Sequence, residues 1–359
     1  MKIALVGNTD FCIYNYRFEL CQELLKRGHE VLVISPYGDY VGEMISSGCR
    51  FIEIKVNAHG TRPIQDLLLK RNLKKIFKRE KPDYVCGFTI KPNIYGAWAC
   101  RQLKIPFIAN ITGLGPSVEN KGIIQTISII LYKIAFKNIY CVFCQNSDNK
   151  KFFEDRNIAK GKIELIPGSG VNLEKFKLQP YPSSDIIKFG FISRVRKDKG
   201  IDEFIEAARS VRKEYPNTEF HVWGKCDDDY LWIKDEPNII YHGFVKDTTA
   251  IYKDLHCVVF PSHYAEGMAN VLLEACASGR PVITTDRAGC REVVDDGVSG
   301  YLIKRASLTE VMNLFLMKSF KEQKQMGLNG RLLAEKTFNR NIIVINYLNK
   351  VSYEKVCNI

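Results

Sequence analysis

Two carboxylates flank a glycine-containing loop in the segment from Phe260 to Asp286. Glu266 stands just before a predicted helix at Val271 to Ala277, and Glu274 follows eight residues later, inside that helix. A helix N-terminus offers free amides and a positive dipole end to a phosphate, and carboxylates accept hydrogen bonds from vicinal hydroxyls. The spacing predicts a site for a ligand with phosphate and hydroxyl groups. A capping acid followed by a surface glutamate would give the same pattern.

Two cations stand on one predicted strand-to-helix loop in the segment from Phe189 to Val211. Arg194 ends the strand, and Lys199 directly precedes Gly200 and the next helix. Arginine can bind a diphosphate through two parallel hydrogen bonds, and lysine can bind it as a point charge. The pair is therefore a candidate diphosphate clamp, with an ordinary basic surface loop as the alternative.

Short apolar strands alternate with amphipathic helical stretches through most of the chain. This pattern predicts an α/β fold of parallel sheets covered by helices on both faces. The segment LQPYPSSD, residues 178–185, has two prolines, two serines and no periodicity, which is typical of a linker. We therefore expect two doubly wound domains, residues 1–178 and 186–340, joined by a linker at 179–185. Ligands of such sheets bind beyond the carboxyl ends of the strands.

Taken together, these segments resemble the retaining glycosyltransferases of family 4, which have the GT-B fold of two Rossmann-like domains facing a cleft. The shared features are a Glu, seven residues and a second Glu, with an Arg and a Lys on the first loop of the second domain. The resemblance covers essentially the whole chain. A subgroup that builds bacterial surface polysaccharides, such as capsule and O-antigen, and protein-linked glycans on polyprenyl-diphosphate carriers shares further motifs. These are YNYR (Tyr14–Arg17), FTIKPNIYG (Phe88–Gly96), NITGLG (Asn110–Gly115), QNSD (Gln145–Asp148) and IPGSGVNLEKF (Ile166–Phe176).

The resemblance implies a role for each matching residue. Arg194 and Lys199 would hold the donor diphosphate and stabilise the leaving nucleoside diphosphate. Glu266 would bind the hydroxyls of the donor sugar, and Glu274 those of the ribose. The family retains the anomeric configuration, and a same-face mechanism is implied because no enzymic nucleophile is reliably placed. Further implied contacts to the donor come from Gly267, Met268, Ala269 and Asn270 around the phosphate and sugar, and from Gly243 and Phe244 near the base.

The first domain departs from the family pattern in its candidate substrate residues. Its first loop, GNTDF, contains Gly7 without the extra glycines that many relatives carry. Lys91 and Asn93 stand where many relatives place a histidine, so we expect one of them to contact the transferred sugar. Further first-domain candidates for the donor diphosphate or the acceptor are Asn15, Arg17 and Thr112. A C-terminal helix at about 341–359 is expected to pack back on this domain.

The positive charge of the chain is concentrated in its first half. Residues 1–180 contain 27 Lys and Arg against 16 Asp and Glu, whereas residues 181–359 contain 25 against 24. Such asymmetry indicates a polyanionic partner. Two helical stretches fit an anionic membrane surface: the basic segment 67–81 and the apolar-faced segment 123–136. The same patterns fit a solvated helix and a core helix. Nucleic acid is not expected, because no recognition motif is visible.

The sequence predicts a cytoplasmic enzyme that associates peripherally with the inner face of the membrane. It would transfer a hexose or N-acetylhexosamine from a nucleotide sugar, most simply UDP-linked, to a polyprenyl-diphosphate-linked saccharide. No cofactor and no metal ion are expected, because the cationic clamp can take the place of a divalent ion. Two alternatives stay open: a nucleotide-sugar 2-epimerase of similar fold, and a non-enzymatic basic module that binds membrane or nucleic acid.

Overall fold

The computed structural model describes residues 1–57, 63–115, 118, 122–304 and 307–352. The chain forms two compact units, Met1–Ser169 with Arg340–Ile359, and Gly170–Asn339. The chain therefore changes unit between Ser169 and Gly170, and the predicted linker 179–185 lies within the second unit. Arg280, which is fully buried in the second unit, holds this segment there, because its guanidinium donates to the carbonyl oxygen of Pro180 at 2.6 Å.

The first unit is built on a seven-stranded parallel sheet with the strand order β3-β2-β1-β4-β5-β6-β7. Helices connect successive strands, so the unit is a doubly wound α/β domain. The strands are β1 Lys2–Val6, β2 Glu30–Ser35, β3 Arg50–Glu53, β4 Tyr84–Phe88, β5 Phe107–Ile111, β6 Cys141–Cys144 and β7 Ile163–Leu165. The helices are α1 Asp10–Lys26, α2 Val41–Ser46, α3 Pro63–Glu80, α4 Ala97–Leu103, α5 Ile123–Ala135 and α6 Ser147–Glu154, and a π-helical turn at Pro92–Gly96 precedes α4.

The second unit has a six-stranded parallel sheet with the strand order β10-β9-β8-β11-β12-β13. Its strands are β8 Ile187–Ile192, β9 Thr218–Trp223, β10 Ile240–Gly243, β11 Cys257–Phe260, β12 Val282–Thr285 and β13 Gly300–Ile303. Its helices are α7 Ile201–Glu214, α8 Asn270–Ala277, α9 Leu308–Leu316 and α10 Phe320–Thr337, with short 3-10 segments between them.

The central strands are apolar on both faces because helices cover both sides of each sheet. In β1, Ala4 and Val6 join one hydrophobic cluster, whereas Ile3 and Leu5 join the cluster on the opposite face. This alternation follows from the two-residue period of a strand. The chain thus positions the loops beyond its strand ends on two well-packed scaffolds.

The last described helix, α11 at Arg340–Ser352, packs on the first unit. The hydroxyl of Tyr347 accepts from the side-chain amide of Asn110 at 2.6 Å, and Arg340 forms an ion pair with Glu19 at 2.8 Å. Residues 353–359 of the predicted C-terminal helix lie outside the described residues. Within the described ranges, no helix is both long enough and apolar enough to cross a bilayer.

Candidate active site

The two sheets each have one point at which the strand order reverses. In the second sheet this point lies between β8 and β11, and in the first sheet it lies between β1 and β4. Connections on the two sides of such a point run to opposite faces of the sheet, which leaves a crevice beyond the strand ends. Lys199 follows β8 and Glu266 follows β11. The sheet topology therefore brings together the loop that carries Lys199 and the loop that carries Glu266.

Hydrogen bonds tie the loop after β8 to the loop after β11. The backbone amide of His263 donates to the carbonyl oxygen of Asp198 at 2.9 Å. The side chain of Thr285, at the end of β12, donates to the carbonyl oxygen of Ser262 at 2.5 Å. Both loops are thereby held against the sheet, as a preorganised site requires.

Gly200 allows these two loops to approach each other. Its φ is +80°, and a Cβ at this position would lie 2.1 Å from the carbonyl oxygen of Pro261. Lys199 directly precedes Gly200, so this turn also sets the direction from which the lysine side chain leaves the loop.

The mutation Gly200→Ala is expected to lower the melting temperature by about 5 to 10 °C, since it adds a backbone clash to the strain of a positive φ, together about 2 to 3 kcal/mol. Gly297→Ala is the matched control, because Gly297 has a φ of +78° and open space around its absent Cβ. Differential scanning calorimetry would measure both. Equal destabilisation by the two mutations would contradict the clash.

Lys199 and Glu266 form an ion pair at this edge of the sheet, with the ammonium donating to Oε1 of the carboxylate. Lys199 is buried, and its Nζ lies 4.2 Å from the ring centroid of Tyr264. The Ser262 hydroxyl also donates to Glu266, at 3.4 Å. An ammonium carries three donors, so the pair leaves Lys199 with capacity for an anion.

Tyr264 completes the surroundings of this pair as a neutral phenol. Burial raises the pKa of Tyr264, and the charge of Glu266 raises it further, whereas Arg194 opposes both effects. Arg194 is exposed to solvent, and its charge acts to lower the pKa of Tyr264. The site thus presents one buried cation over the Tyr264 ring and one exposed cation on the same loop after β8.

Glu274 lies in α8, and its side chain is oriented by two hydroxyl donors. The hydroxyl of Tyr252 donates to Oε2 at 2.8 Å, and the hydroxyl of Thr248 donates to the same oxygen at 3.1 Å. Tyr252 is itself fully buried. Such support holds a carboxylate in one orientation, as recognition of a diol requires.

The loop between Glu266 and α8 is rigidly packed. Met268 and Ala269 are buried, and the Ala269 amide donates to the carbonyl oxygen of Gly289 at 2.8 Å. A Cβ on Gly289 would lie 2.7 Å from the Cβ of Glu266. Gly267 is buried as well, and Asn270 is the first residue of the helix.

Gly243 ends the edge strand β10 of the second sheet, and Phe244 directly follows it. The carbonyl oxygen of Gly243 accepts from the amide of Gly224 at 2.8 Å, and Phe244 is 69% exposed. Beside them, the rings of Trp223 and His242 are stacked with centroids 4.4 Å apart. Burial lowers the pKa of His242, so the stack is uncharged at neutral pH.

In the first unit, Gly7 follows β1, whereas Lys91 and Asn93 follow β4, on the two sides of the strand-order reversal. Lys91 forms an ion pair with buried Asp66 at 2.9 Å. Asn93 is 1% exposed, and its amide donates to the carbonyl oxygen of Asn110 at 2.7 Å. Thr112 follows the next strand, β5, and is half-buried.

Asn15 and Arg17 lie on α1. Arg17 is 3% exposed, its guanidinium lies 4.8 Å from the ring centroid of Phe88, and it donates to the carbonyl oxygen of Tyr16 at 2.7 Å. Asn15 is half-buried, and its carbonyl oxygen accepts from Arg340 at 2.9 Å. The contacts of Arg17 are those of a buried structural side chain, while its assignment to a substrate stays a prediction.

Several residues that support the candidate residues within each unit were not identified from the sequence. Thr248 and Tyr252 orient Glu274, Gly289 makes room for Glu266, and Asp66 pairs with Lys91. They come from segments with no motif of their own, and only the fold brings them to their partners. In the described ranges, no group of three or more His, Cys, Asp or Glu side chains is arranged to hold a metal ion.

Two family models match successive parts of the chain. Residues 2–146 match the glycosyl transferase 4-like model, and residues 187–316 match the glycosyl transferases group 1 model. Both models describe glycosyltransferases, and the chain is a glycosyltransferase. The Lys199–Glu266 pair and Glu274 all lie within the second match.

Curated bacterial proteins resemble this glycosyltransferase along most of their length. One is the N,N'-diacetylbacillosaminyl-diphospho-undecaprenol alpha-1,3-N-acetylgalactosaminyltransferase of Campylobacter jejuni, 26% identical over 97% of each chain. Another is the UDP-Gal:alpha-D-GlcNAc-diphosphoundecaprenol alpha-1,3-galactosyltransferase of Escherichia coli, 25% identical over 77% of this chain and 76% of the relative. Both are named glycosyltransferases, which gives no support to an epimerase or a non-enzymatic binding module.

Solved structures share the fold of this glycosyltransferase. Anabaena HepE, solved in complex with UDP, has a TM-score of 0.80 with 17% identity, over 98% of this chain and all of that one. A glycosyltransferase of Rickettsia africae has a TM-score of 0.80 with 18% identity, over all of this chain and 99% of that one. The predicted GT-B fold, two parallel α/β sheets with their helices, is confirmed.

Proposed function

We propose that this glycosyltransferase transfers a hexose or N-acetylhexosamine from a UDP-sugar to a polyprenyl-diphosphate-linked saccharide, with retention at the anomeric carbon. The observation that carries the proposal is the Lys199–Glu266 pair at the strand-order reversal of the second sheet. A diphosphate and a hydroxyl-rich sugar need a cation and a carboxylate side by side, and this edge of the sheet provides both. The acceptor class follows from the two relatives of Campylobacter jejuni and Escherichia coli, which are both named for diphosphoundecaprenol-linked acceptors.

In the proposed reaction, the bond between the sugar C1 and the donor diphosphate breaks and UDP leaves with the bonding electrons. Lys199 and Arg194 stabilise the negative charge that develops on the diphosphate. The acceptor hydroxyl forms the new bond on the same face of C1, and its proton passes to a diphosphate oxygen. Glu266 orients the donor sugar through its hydroxyls, and Glu274 binds the ribose.

The proposal needs neither a metal ion nor a cofactor. A divalent ion in other sugar transfers neutralises the leaving diphosphate, and in this protein two cationic side chains take that role. EDTA treatment is therefore expected to leave the transfer rate unchanged. Recovery of activity only on adding Mg²⁺ or Mn²⁺ would contradict the metal-free proposal.

The test of the proposed function is a screen of nucleotide sugars for thermal stabilisation, followed by a transfer assay. A ligand that binds only the folded state raises the melting temperature, and at a given concentration a tighter ligand raises it more. We expect stabilisation by UDP and a UDP-sugar, then transfer to a short-chain prenyl-diphosphate saccharide. NMR of the product anomeric proton distinguishes retention from inversion. Stabilisation by GDP-sugars alone would overturn the donor assignment.

We also propose that the enzyme works at the cytoplasmic face of the membrane through its first unit. Helix α3 buries Leu69, Leu73 and Phe77, which leaves its basic face to solvent. Helix α5 buries Tyr132 and Ala135, whereas Ile123 is 81% exposed. Three further isoleucines of α5 are at least half exposed: Ile124, Ile127 and Ile130. Basic charge and exposed apolar side chains are what an anionic bilayer attracts.

Replacing Lys74, Lys75 and Lys78 by glutamate is expected to weaken binding to anionic liposomes about a hundredfold, since each basic residue near the surface contributes roughly 1 kcal/mol. Liposome flotation would measure it, and UDP affinity should not change. The control is the same change at three exposed lysines of the second unit, Lys213, Lys234 and Lys253. Unchanged partitioning, or an equal loss in the control, would reject docking through α3.

A further inference from the structure

Five aromatic rings form a continuous contact chain at the carboxyl edge of the first sheet, and we refer to them as the aromatic strip. Four of them lie on α1 and the fifth ends the loop after β2. Because β1 and β2 pair in parallel, with Val6 opposite Ile34, the loops that follow them leave the same edge of the sheet. The strip consists of Tyr16, Phe11, Tyr40, Tyr14 and Phe18.

The rings pack closely with each other, and the strip is partly exposed, with Tyr14 and Phe18 also packed against the core of the first unit. Tyr14 and Tyr40 are stacked with centroids 4.6 Å apart, and Phe11 meets Tyr40 edge-on at 5.8 Å. Phe11 is 40% exposed and the other four rings are partly exposed. A contiguous, partly exposed aromatic surface with one exposed ring is a candidate interaction site.

Buried polar contacts hold the strip in place. Thr9 caps α1 by accepting from the amide of Cys12 at 3.1 Å. The next residue, Asp10, is buried and accepts from the amide of Tyr40 at 2.9 Å, which joins the loop after β2 to the start of α1. A Cβ on Gly38 would lie 2.4 Å from this carboxylate, so glycine is required there. Such preorganisation lowers the entropy that a ligand must lose to bind.

Carboxylates adjoin the strip and decide which ligand suits it. The hydroxyl of Tyr14 donates to Glu43, and Asp39 is exposed next to Tyr40. Carboxylates repel an anionic lipid surface but accept hydrogen bonds from neutral hydroxyl groups. Aromatic faces attract weakly positive C–H groups through the ring quadrupole. A hexose ring offers both an apolar C–H face and a rim of hydroxyls.

We propose that the aromatic strip binds a hexose ring of the acceptor saccharide, with Phe11 as its central contact. This inference rests on the proposed function, because it assigns the saccharide of that acceptor to a surface of the first unit. It separates two contributions to acceptor binding. The strip contacts the neutral sugar, whereas α3 and α5 lie against the membrane that holds the lipid.

The test is the mutation Phe11→Ala, assayed with a short-chain prenyl-diphosphate saccharide in the absence of lipid. The acceptor KM is expected to rise about tenfold, with the UDP-sugar KM unchanged and the protein still folded. Phe11→Trp should keep the wild-type KM, because it keeps an aromatic face. Phe320→Ala is the control, since Phe320 is a 51% exposed ring at the start of α10 in the second unit.

An unchanged acceptor KM in Phe11→Ala, with an active wild type, would overturn this inference and leave the proposed function standing. A second measurement does not need transfer: saturation-transfer NMR with methyl glycosides of glucose, galactose, N-acetylglucosamine and N-acetylgalactosamine. Signals seen with the wild type and lost in Phe11→Ala support the subsite, and signals absent or equal in both overturn it. Loss of liposome binding, or a change in oligomeric state, without a change in acceptor KM would assign the strip to a bilayer or a second copy instead.

Discussion

The mutations Lys199→Ala and Glu266→Ala are each expected to reduce kcat for sugar transfer by at least a factor of 10² to 10³ while the protein stays folded. Lys199 would stabilise the charge that develops on the leaving diphosphate, and removal of one such preorganised group typically has an effect of this size. Glu266 would orient the sugar that is transferred, so its loss misplaces the reacting carbon. Single-turnover transfer assays would measure both mutants.

The two residues also depend on each other, because the Lys199 ammonium donates to the Glu266 carboxylate in a partly buried position. Removing one partner leaves the other charge buried and unpaired, so part of each defect arises before substrate binds. The double mutant should therefore lose less than the product of the two single effects. Glu266→Gln separates the contributions, since the amide oxygen can still accept from Lys199.

The matched control is Lys304→Ala, which removes an exposed lysine paired with Asp296 at 2.7 Å elsewhere in the second unit. An exposed pair of this kind contributes little to stability, and this mutant should transfer sugar at the wild-type rate. Wild-type turnover by Lys199→Ala or by Glu266→Ala would exclude the proposed site. Circular dichroism and the melting temperature would show that the mutants are folded.

The mutation Glu274→Ala is expected to weaken UDP binding about a hundredfold. Glu274 would accept from the ribose hydroxyls, and hydrogen bonds to a charged group each contribute about 1.5 to 3 kcal/mol. Tyr252→Phe removes the hydroxyl that donates to this carboxylate at 2.8 Å. It should weaken UDP binding by less than tenfold, because the carboxylate stays but loses one of its two orienting donors. Isothermal titration calorimetry with UDP would measure both.

Pyrophosphate distinguishes the ribose site from the diphosphate site. Pyrophosphate has no ribose, so its displacement of UDP measures binding to the cations alone. The Glu274→Ala mutant should bind pyrophosphate as tightly as the wild type does. The Lys199→Ala mutant should bind pyrophosphate much more weakly than the wild type does. Glu206→Ala, at an exposed position of α7, is the control for removing a helix carboxylate. Equal UDP affinity in Glu274→Ala and Glu206→Ala would contradict the ribose assignment.

Apolar patterning predicted the buried central elements well but missed two of the four edge strands. The apolar run at Ile187–Ile192 predicts a strand and the apolar stripe at Ile201–Glu214 predicts a helix, and β8 and α7 have these bounds. Strands β7 and β13, which were not predicted, are partly exposed along most of their length and lack such a run. The predicted linker was misplaced because proline and serine also occur where a chain lies against a domain, as Pro180 does against Arg280.

The sequence by itself determined the α/β class, the two sheets, and the places of Arg194, Lys199 and the two glutamates beyond strand ends, because strand hydrophobicity and strand-end motifs are local properties. The tertiary structure alone decided that Lys199 bonds Glu266, 67 residues further along the chain. It also decided that Tyr252 and Thr248 orient Glu274, and that five aromatic rings meet at one edge of the first sheet. These contacts depend on which strands are neighbours and on which loops leave the same sheet edge, and strand order follows from the packing of the whole domain.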